Sequence, residues 1–275
     1  MDTTQLYMVA TPIGNSRDMT LRAVDTLREV PNIVAEDTRE TRKLLSLLGI
    51  SPEGKSFHSF AAHNMKSATD KIIEILLAGQ SVAFCCDRGT PAISDPGSML
   101  VDRARQQGIS VIPIPGASSV TALVSVAGLK ETEFLFLGFA PKQKMIKEAL
   151  WKKIQWLGIA SVFFESPHRV RATVSEWQTS FPGGSIFVGR EITKQYEEYG
   201  WHQLDTLDTK NLVEKGEYVL ILLPPKTSSE SPQEAQLNDA IKDRLLSDRD
   251  WSKQVAKRTG LRAADIYNAL QKSQR

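Results

Sequence analysis

Side chains suited to proton transfer and to phosphate binding recur directly after apolar runs of this sequence. Six of them could act as general bases: Glu36, Asp37, His63, Glu165, Glu191 and Lys194. Three arginines of the same clusters would suit phosphate contacts: Arg39, Arg169 and Arg190. In an open parallel sheet the carboxyl ends of the strands line one edge, and ligands bind there. The pattern therefore predicts one composite site if the apolar runs are strands of such a sheet.

The segment CCDRGTPAISDPGSML, residues 85–100, is a long connection within this pattern. It follows an apolar run and contains two proline turns, Thr90-Pro91 and Asp95-Pro96-Gly97, before a helical segment. Strand-to-helix loops are usually about 2–6 residues long. Proline restricts the backbone before a ligand binds, and glycine lets the backbone approach the ligand. The segment therefore predicts a rigid binding loop.

Several of these residues also have a structural interpretation. Asp37 or Thr38 could cap one helix, and Ser118 or Ser119 could cap another. His63 could be an ordinary surface or hydrogen-bonded histidine. For these five residues the structural and the functional interpretations both stay open.

Three further groups carry the same ambiguity. His168 and Arg169 could be solvated in a first helical turn, and Arg190 and Glu191 could form a structural ion pair. Packing is the main interpretation for three aromatic residues, with base stacking as the other: Tyr196, Tyr199 and Trp201.

Composition and missing motifs narrow the class of protein. The 275 residues are 41% hydrophobic and 24% charged, which is typical of globular chains and predicts two domains at about 100–200 residues each. The net charge of +2 is too small to indicate nucleic-acid binding by itself. The sequence lacks GxGxxG, P-loop, HExxH and GxSxG motifs. Cys85 and Cys86 lack metal-binding spacing, so they predict apolar strand residues in a reducing compartment and no metal site.

The N-terminal segment MDTTQLYMVATP has no basic stretch followed by a long apolar one, so we expect no signal peptide. No apolar run approaches the roughly 20 residues of a membrane helix. We therefore expect a soluble cytoplasmic protein that does not engage a membrane.

Alternating apolar and helical segments predict an α/β fold with two α/β domains, residues 1–117 and 118–225. In the first domain, strands are expected at 6–10, 33–35, 82–86 and 111–113, and helices at 21–30, 41–48, 67–78 and 96–107. In the second, strands are expected at 134–137, 160–164, 185–188 and 218–223, helices at 147–157 and 167–177, and an extended segment at 195–201. The order in the first domain predicts a parallel sheet covered by helices, and the second domain is expected to be mixed.

Residues 226–236 are polar and predict a linker. Beyond it, residues 237–275 predict a small helical segment of helix-turn-helix type, with helices at 251–258 and 263–271. This segment has nine Lys and Arg residues against five Asp and Glu residues. A helical cap or dimer element is one interpretation of it, and nucleic-acid contact is the other.

Seven motifs, in their order along the chain, resemble those of the ribosomal RNA small subunit methyltransferase I family, which belongs to the tetrapyrrole-methylase-like superfamily. They are TPIGN, AEDTR, DRGTPAISDPG, IPGASS, FESPHR, GREITK and KGEYVLIL. The resemblance implies a homodimer of chains with two α/β domains, each binding S-adenosyl-L-methionine in the cleft between its domains. It also implies methylation of the ribose 2′-hydroxyl of cytidine 1402, in the decoding region of the 16S rRNA of the small ribosomal subunit.

By the same resemblance, nine residues are expected to bind the cofactor: Pro12, Gly14, Arg88, Gly89, Thr90, Ile93, Ser118, Ser119 and Phe164. A ribose hydroxyl is a weak acid, so a base should assist its attack. Four residues rank highest for catalysis: Glu36, Arg39, Glu165 and Lys194. Lys194 would be a base only in its neutral form and would otherwise stabilise developing negative charge on the oxygen. RNA contacts are expected at His63, Asn64, Arg169 and Arg190.

The sequence departs from the family pattern at three places. The usual SDAGTP reads CDRGTP, so Arg88 places a long cation where a small residue is usual, where it would reach substrate phosphate or crowd the site. A segment like HDHNE reads AAHNM, with Ala61 and Met65 in place of a histidine and a glutamate. The usual GNLGD reads GNSRD, which retains Asp18.

Two other functions stay open beside the RNA methyltransferase. A small-molecule methylase of the tetrapyrrole type would have a cleft for a flat macrocycle and no salt-sensitive RNA binding. Tetrapyrrole methylases generally carry a GxGPGD-like first turn, and TPIGN with AEDTR favours RNA instead. A non-enzymatic nucleic-acid binder would depend on residues 237–275, and the density of polar motifs after predicted strands argues against it.

Overall fold

A computed structural model describes residues 4–61, 63–225, 247–259 and 262–273 of the chain. Contacts between residues divide the chain into two compact units, one ending at Pro225 and the other comprising residues 226–275. The first unit contains two five-stranded sheets.

The first sheet is wholly parallel, in the order β3-β2-β4-β1-β5. Its strands are β1 (Gln5–Val9), β2 (Asn32–Ala35), β3 (Ser56–Ser59), β4 (Val82–Cys85) and β5 (Ser110–Ile114). Its helices are α1 (Leu21–Glu29), α2 (Thr38–Leu47), α3 (Met65–Leu77) and α4 (Gly97–Gln106). Since β1 and β4 are neighbours, their carboxyl-terminal loops leave the sheet side by side.

Helices cover both faces of this sheet, which is why its central strands are mostly apolar. Every residue of β2 and β4 is buried. On one face Leu27 of α1 and Leu45 of α2 belong to the cluster that contains Ile33. On the other face Ile72 of α3 belongs, with helix α4, to the cluster that contains Phe84. The sheet is therefore a fixed platform for the loops at its carboxyl edge.

The second sheet is mixed, in the order β6-β7-β10-β8-β9, and only its β6–β7 pair is parallel. Its strands are β6 (Phe134–Phe139), β7 (Ala160–Glu165), β8 (Ser185–Arg190), β9 (Glu198–Gln203) and β10 (Tyr218–Leu223). Its helices are α5 (Ser119–Ala127), α6 (Lys144–Leu157) and α7 (Val170–Ser180). Trp151 of α6 and Trp177 of α7 fill one face, and Leu123 of α5 fills the other. Ile13 lies in the loop after β1 and belongs to the same buried cluster as Leu123, so this loop of the first sheet packs against the second sheet.

The predicted α/β class, the parallel first sheet and the mixed second sheet are confirmed. Helix α2 begins at Thr38 rather than at residue 41, because the Asp37 side chain accepts a hydrogen bond from the Arg39 amide and caps it. Strand β3 was not predicted, since its SFHS sequence is short and half polar. The boundaries of the two α/β domains within the first unit stay predictions.

The second unit contains two helices among its described residues, α8 (Asp248–Thr259) and α9 (Ala263–Ser273). Gln271 donates a hydrogen bond to the Asp248 carboxylate at 2.9 Å, which joins the two helices. The predicted linker, residues 226–236, lies outside the described residues. Among the described helices, none has the length and apolar character needed to cross a membrane.

Candidate active site

The loops that follow β1 and β4 are fastened to each other. Thr11 and Gly89 exchange backbone hydrogen bonds of 2.9 and 3.1 Å, and the Thr11 hydroxyl donates to the Cys86 carbonyl at 3.2 Å. Gly89 has a φ of +80°, a conformation that favours glycine. The Thr90 hydroxyl donates to the Ala117 carbonyl at 3.1 Å, which fixes the other end of the turn. The loop after β4 is therefore held in place by hydrogen bonds to Thr11 and Ala117 of the neighbouring loops.

The same loop stores backbone strain next to a carboxylate. Ala92 and Ser94 have φ values of +66° and +67°, which side chains other than glycine rarely adopt. One oxygen of Asp95, Oδ1, accepts a hydrogen bond from the Gly97 amide at 2.7 Å. Its other oxygen, Oδ2, is buried and has no hydrogen-bond partner among the described residues. The loop thus holds an unsatisfied acceptor in a fixed place.

This loop and the second sheet enclose a cavity of about 510 Å³, which we call the acidic cavity. That volume suits a small-molecule ligand, for which pockets of about 300–1,000 Å³ are usual. Five carboxylates lie among its lining residues: Glu36, Asp87, Asp95, Glu165 and Glu217. Its other lining residues are Ile13, Cys86, Arg88, Ile93, Ser94, Ser119, Phe139, Phe164, Ile192, Tyr218 and Val219.

Two of these carboxylates lie close together and share a perturbed environment. Single atoms of Glu36, Cys86 and Asp95 lie within 4.8 Å of one another. Burial, with the negative charges of Asp87 and Asp95, raises the pKa of Glu36 to about 6. Burial also raises the pKa of Asp95. A cation at this position would relieve the repulsion and restore the ionised forms.

The two cysteines are not candidates for chemistry. Burial raises the pKa of Cys85 to about 12 and the pKa of Cys86 still further above its usual value. Both are therefore thiols at neutral pH, and a thiol is neither a good nucleophile nor a good metal ligand. The Cys86 Sγ–H group points to the carbonyls of Arg88 and Gly89 at 3.3 Å, so it supports the loop.

The second sheet supplies an aromatic wall to the acidic cavity. Phe164 makes edge contacts with Phe136 and Phe139, with ring centroids 5.0 and 5.6 Å apart. Phe139 and Ile93 are exposed into the cleft. Flat or apolar parts of a ligand would pack here, opposite the carboxylates.

Glu165 lies at the end of β7 with both of its oxygens occupied. Its side chain is 1% exposed and accepts hydrogen bonds from the Thr173 hydroxyl at 2.6 Å and the Ser166 amide at 2.8 Å. The Arg169 guanidinium lies 3.5 Å from it and also donates to the Ala140 carbonyl at 3.2 Å. These contacts hold the carboxylate against α7 and the turn before it, so Glu165 shapes the wall of the cavity.

A second cavity of about 460 Å³, which we call the lysine cavity, adjoins the first. The two cavities share Cys86, Asp87 and Arg88. The remaining lining residues of the lysine cavity are Thr11, Pro12, Gly14, Ser16, Glu40, Thr41, Lys43, Leu44, Leu47, Glu191 and Lys194. It combines three cations with three carboxylates, Glu40, Asp87 and Glu191, and with two leucines of α2.

Ion pairs connect the walls of the two cavities. The Lys194 ammonium donates to Glu191 at 2.7 Å and to Glu217 at 2.9 Å. Arg88 donates to the other oxygen of Glu217 at 2.7 Å. Burial opposes ionisation of Glu191, but hydrogen bonds from Lys194 and from the Glu217 amide lower its pKa. Arg88 therefore reaches across to the second sheet, where Glu217 holds it at the junction of the cavities.

The sequence-predicted residues divide into three groups in the structure. The acidic cavity collects Glu36, Arg88, Ile93, Ser119, Phe164 and Glu165. The lysine cavity collects Pro12, Gly14, Arg88 and Lys194. The lining of these two cavities does not include Arg39, His63, Asn64, Gly89, Thr90, Ser118, Arg169 or Arg190.

Contacts explain why some predicted binding residues lie outside the cavities. Arg39 is paired with Asp37 at 2.7 Å and is 84% exposed. The Asn64 side chain accepts from the Ala61 amide at 2.8 Å and thereby closes the turn before α3. Ser118 precedes α5 but makes no capping bond with its side chain. His63 is exposed.

Two structural expectations at the ends of β7 and β8 were wrong. Arg190 pairs with Glu198 through two hydrogen bonds of 2.9 and 2.7 Å, and not with Glu191. Arg169 precedes α7 rather than lying in its first turn, because the segment from Ser166 forms a separate turn. Trp201 packs only in part: its indole N–H donates to the Ala127 carbonyl at 2.8 Å and its ring lies on Phe187, but it is 40% exposed. Packing does not describe Tyr196 and Tyr199, which are 66% and 43% exposed.

Sequence reasoning missed several residues of the cavities. Asp87, Asp95 and Glu217 lie within quoted motifs, so their charge was a usable signal. The register of the β6–β7 pair shifts between residues 136 and 139, and no sequence pattern predicts this shift, so the position of Phe139 could not be inferred.

Comparison with known proteins gives a consistent result. Residues 5–208 match the family model of Tetrapyrrole (Corrin/Porphyrin) Methylases. The Ribosomal RNA small subunit methyltransferase I of Halalkalibacterium halodurans is 36% identical over 272 residues, which cover 96% of this chain and 93% of that protein. Proteins of the same name from Neisseria meningitidis serogroup A and Synechocystis are 41% and 38% identical. Those alignments cover 80% and 95% of this chain, and 76% and 95% of the relatives.

Solved structures share the fold at low sequence identity. The methyltransferase CobJ has a TM-score of 0.63 at 17% identity, covering 84% of this chain and 98% of that one. Diphthine synthase has a TM-score of 0.62 at 14% identity, covering 82% and 91%. Uroporphyrin-III C-methyl transferase from Thermus thermophilus, complexed with S-adenyl homocysteine, has a TM-score of 0.56 at 14% identity, covering 79% and 96%.

Proposed function

The chain belongs to the tetrapyrrole methylase family and, within it, to the ribosomal RNA small subunit methyltransferase I family, and from this premise we propose a specific reaction for it. It is a methyltransferase that moves the methyl group of S-adenosyl-L-methionine to the ribose 2′-hydroxyl of cytidine 1402 in 16S rRNA. The observation that carries this proposal is the pair of adjoining cavities, one acidic and one with lysines, which meet at Cys86, Asp87 and Arg88.

The acidic cavity fits the methyl donor. S-adenosyl-L-methionine supplies, when bound, a methyl group on a positively charged sulfur. The unsatisfied Oδ2 of Asp95 and the neighbouring Glu36 carboxylate offer the negative charge that such a cation needs. Phe139, Phe164 and Ile93 offer an apolar wall for an adenine ring.

The lysine cavity suits an RNA strand. Lys43, Arg88 and Lys194 are each paired with a carboxylate in the structure, and on RNA binding each would exchange that carboxylate for a phosphate oxygen. Leu44 and Leu47 offer an apolar surface for a base that is turned out of its stack. The ribose of that nucleotide would lie at the junction of the two cavities.

Glu36 is the group that we assign as general base. Its pKa of about 6 leaves it mostly ionised at neutral pH yet more basic than an ordinary carboxylate. In this role one Glu36 oxygen accepts the proton that the ribose hydroxyl loses. The Lys194 side chain donates to Glu191 and Glu217, and in this proposal it contributes positive charge near the reacting oxygen.

The other partners are part of the same proposal. The small ribosomal subunit is the expected substrate particle, and a homodimer and a cytoplasmic location follow from the family resemblance. The tetrapyrrole alternative draws on the family model and on solved structures that are 14–17% identical to the chain, whereas the relatives that are 36–41% identical are named for ribosomal RNA.

The test is transfer of a radiolabelled methyl group from S-adenosyl-L-methionine to small ribosomal subunits from a strain that lacks this gene. Free 16S rRNA and a tetrapyrrole serve as parallel substrates, and the Glu36→Gln protein as the control. We expect labelled 2′-O-methylcytidine at the decoding site, mapped by nuclease digestion and mass spectrometry. Label in the tetrapyrrole but not in either RNA sample would overturn the proposal.

A further inference from the structure

Helix α6 and the turn before it carry a dense positive charge. The 15 residues from Lys142 to Trp156 include five lysines and one acidic residue, Glu148. This segment was not part of any motif that the sequence analysis assigned to the site.

The inner side of α6 packs against the hydrophobic core of the second sheet. Trp151 and Ile154 are buried against the second sheet. The Glu176 carboxylate of α7 accepts hydrogen bonds from the Trp151 indole N–H at 2.9 Å and from the Lys147 ammonium. These contacts orient the helix and leave its opposite side to solvent.

The outer side presents cations and large apolar groups together. Among the described residues, no carboxylate pairs with Lys142, Lys152 or Lys153, and all three are exposed. Met145 is 83% exposed and Trp156 is 65% exposed. Positions 145, 149, 152 and 156 follow the three- and four-residue spacing of one helix face. We call the five residues Lys142, Met145, Lys152, Lys153 and Trp156 the α6 face.

We propose that the α6 face docks a single-stranded segment of the RNA substrate beside the catalytic cleft. This inference rests on the proposed action on ribosomal RNA. Lysines that lack a protein partner neutralise phosphates, and an exposed indole ring provides a platform for a base. A lipid surface would instead select a continuous apolar face, and the most buried apolar side chains of α6 point into the protein.

The α6 face is continuous with the cleft. Phe139 lines the acidic cavity, and Lys142 follows it after three residues, a span of at most about 11 Å. From Met145 to Trp156 the helix then runs about 16 Å along its axis. An RNA strand that leaves the cavities in this direction would therefore meet the cations first and the indole last.

The first test measures binding of a fluorescein-labelled RNA oligonucleotide from the decoding region over a range of salt concentrations. The variant carries Lys142→Gln, Lys152→Gln and Lys153→Gln. We expect the slope of log K against log salt to fall by about 2, or roughly 0.7 for each lysine. In methyl transfer, KM for RNA should rise while kcat stays constant. The matched control carries Lys71→Gln, Lys130→Gln and Lys210→Gln, three exposed lysines elsewhere.

The second test concerns Trp156. Trp156→Ala should weaken RNA binding by about 5- to 150-fold, and Trp156→Phe should retain most of the affinity because it keeps a stacking ring. RNA should quench more tryptophan fluorescence in the parent protein than in Trp156→Phe. Circular dichroism checks that each variant folds.

Three results would overturn the inference, and they are distinguishable. If the parent protein binds RNA normally and the triple variant has the same salt slope and KM, the α6 face does not bind RNA, and the proposed function is unaffected. A change in sedimentation with RNA affinity intact would mean that the face contacts a second copy of the chain. Failure of the parent protein to methylate both small ribosomal subunits and free 16S rRNA would contradict the proposed function together with this surface.

Discussion

Glu36 and Asp95 each bring a carboxylate oxygen to within 4.8 Å of the other, although they come from loops after different strands. Two carboxylates at this distance in a partly buried site cannot both ionise without cost. Backbone hydrogen bonds, such as that from the Gly97 amide to Asp95 Oδ1, offset only part of this cost, because the pKa values of both carboxyl groups stay raised. The pair therefore combines the proposed general base, Glu36, with a position that favours a cation.

The first prediction concerns the acid limb of the reaction. Because the Glu36 pKa is about 6 in the free protein and the base must be ionised, kcat/KM for S-adenosyl-L-methionine should fall with unit slope as the pH drops below about 6. Glu36→Gln should lower kcat by about 10²- to 10⁴-fold. A pH profile of initial rates measures both effects. If the Glu36→Gln variant keeps the same fall in rate at low pH, another group must be responsible for that fall.

The second prediction separates the methyl donor from its product. S-adenosyl-L-methionine carries a positive sulfur that S-adenosylhomocysteine lacks. A cation near Glu36 lowers its pKa, so donor binding should release a proton and tighten as the pH rises through about 6. Asp95→Asn should weaken donor binding by roughly tenfold and product binding less, since it removes one charge.

Calorimetry in two buffers of different ionisation enthalpy measures the affinity and the proton release for both ligands. Asp95→Asn should also shift the acid limb to lower pH, because the Asp95 charge raises the pKa of Glu36. If Asp95→Asn weakens the binding of S-adenosyl-L-methionine and of S-adenosylhomocysteine equally, the positive sulfur does not lie near Glu36 and Asp95.

Sequence patterns predicted the strands and loops that carry this site better than the contacts of its side chains. The apolar runs at β1, β2 and β4 identify a buried parallel sheet, and the long loop after β4 lines the acidic cavity as expected. Their polar neighbours were therefore placed correctly at one edge. Local periodicity is sufficient for this step because a buried strand must be mostly apolar.

Side-chain partners were beyond the same reasoning. Arg190 and Glu198 belong to neighbouring strands, and their pairing depends on the β8–β9 register. Glu217 meets Arg88 only because the second sheet faces the loop after β4. Such long-range contacts depend on tertiary packing, which no local pattern encodes, so the sequence could not separate ligand-facing groups from paired ones.

The third prediction is that Glu165 stabilises the wall of the acidic cavity and does not transfer a proton. Thr173→Val removes the hydroxyl donor of a carboxylate that is almost wholly buried, and should cost about 1–3 kcal/mol of unfolding free energy. Thr179→Val is the matched control on the same helix, because Thr179 is exposed and bonds only to the Ser175 carbonyl. Urea denaturation measures both variants.

Glu165→Gln should likewise lower the stability while leaving the pH profile of the remaining activity unchanged. A large loss of kcat in Glu165→Gln, with stability intact, would show instead that Glu165 takes part in proton transfer.

The fourth prediction concerns the close approach of the first loop to the loop after β8. A Cβ atom on Gly14 would lie 2.5 Å from Lys194 Cγ and 3.0 Å from the Ile192 carbonyl oxygen. Gly14→Ala must therefore displace this loop, in which Glu191 and Thr193 already have φ values of +52° and +66°. A shift of about 1 Å in Lys194 should lower kcat by up to about 100-fold. Gly200→Ala on β9 is the control, since its Cβ would meet only the end of the His202 ring at 3.3 Å. Equal rates for the two variants would mean that the position of Lys194 does not matter for catalysis.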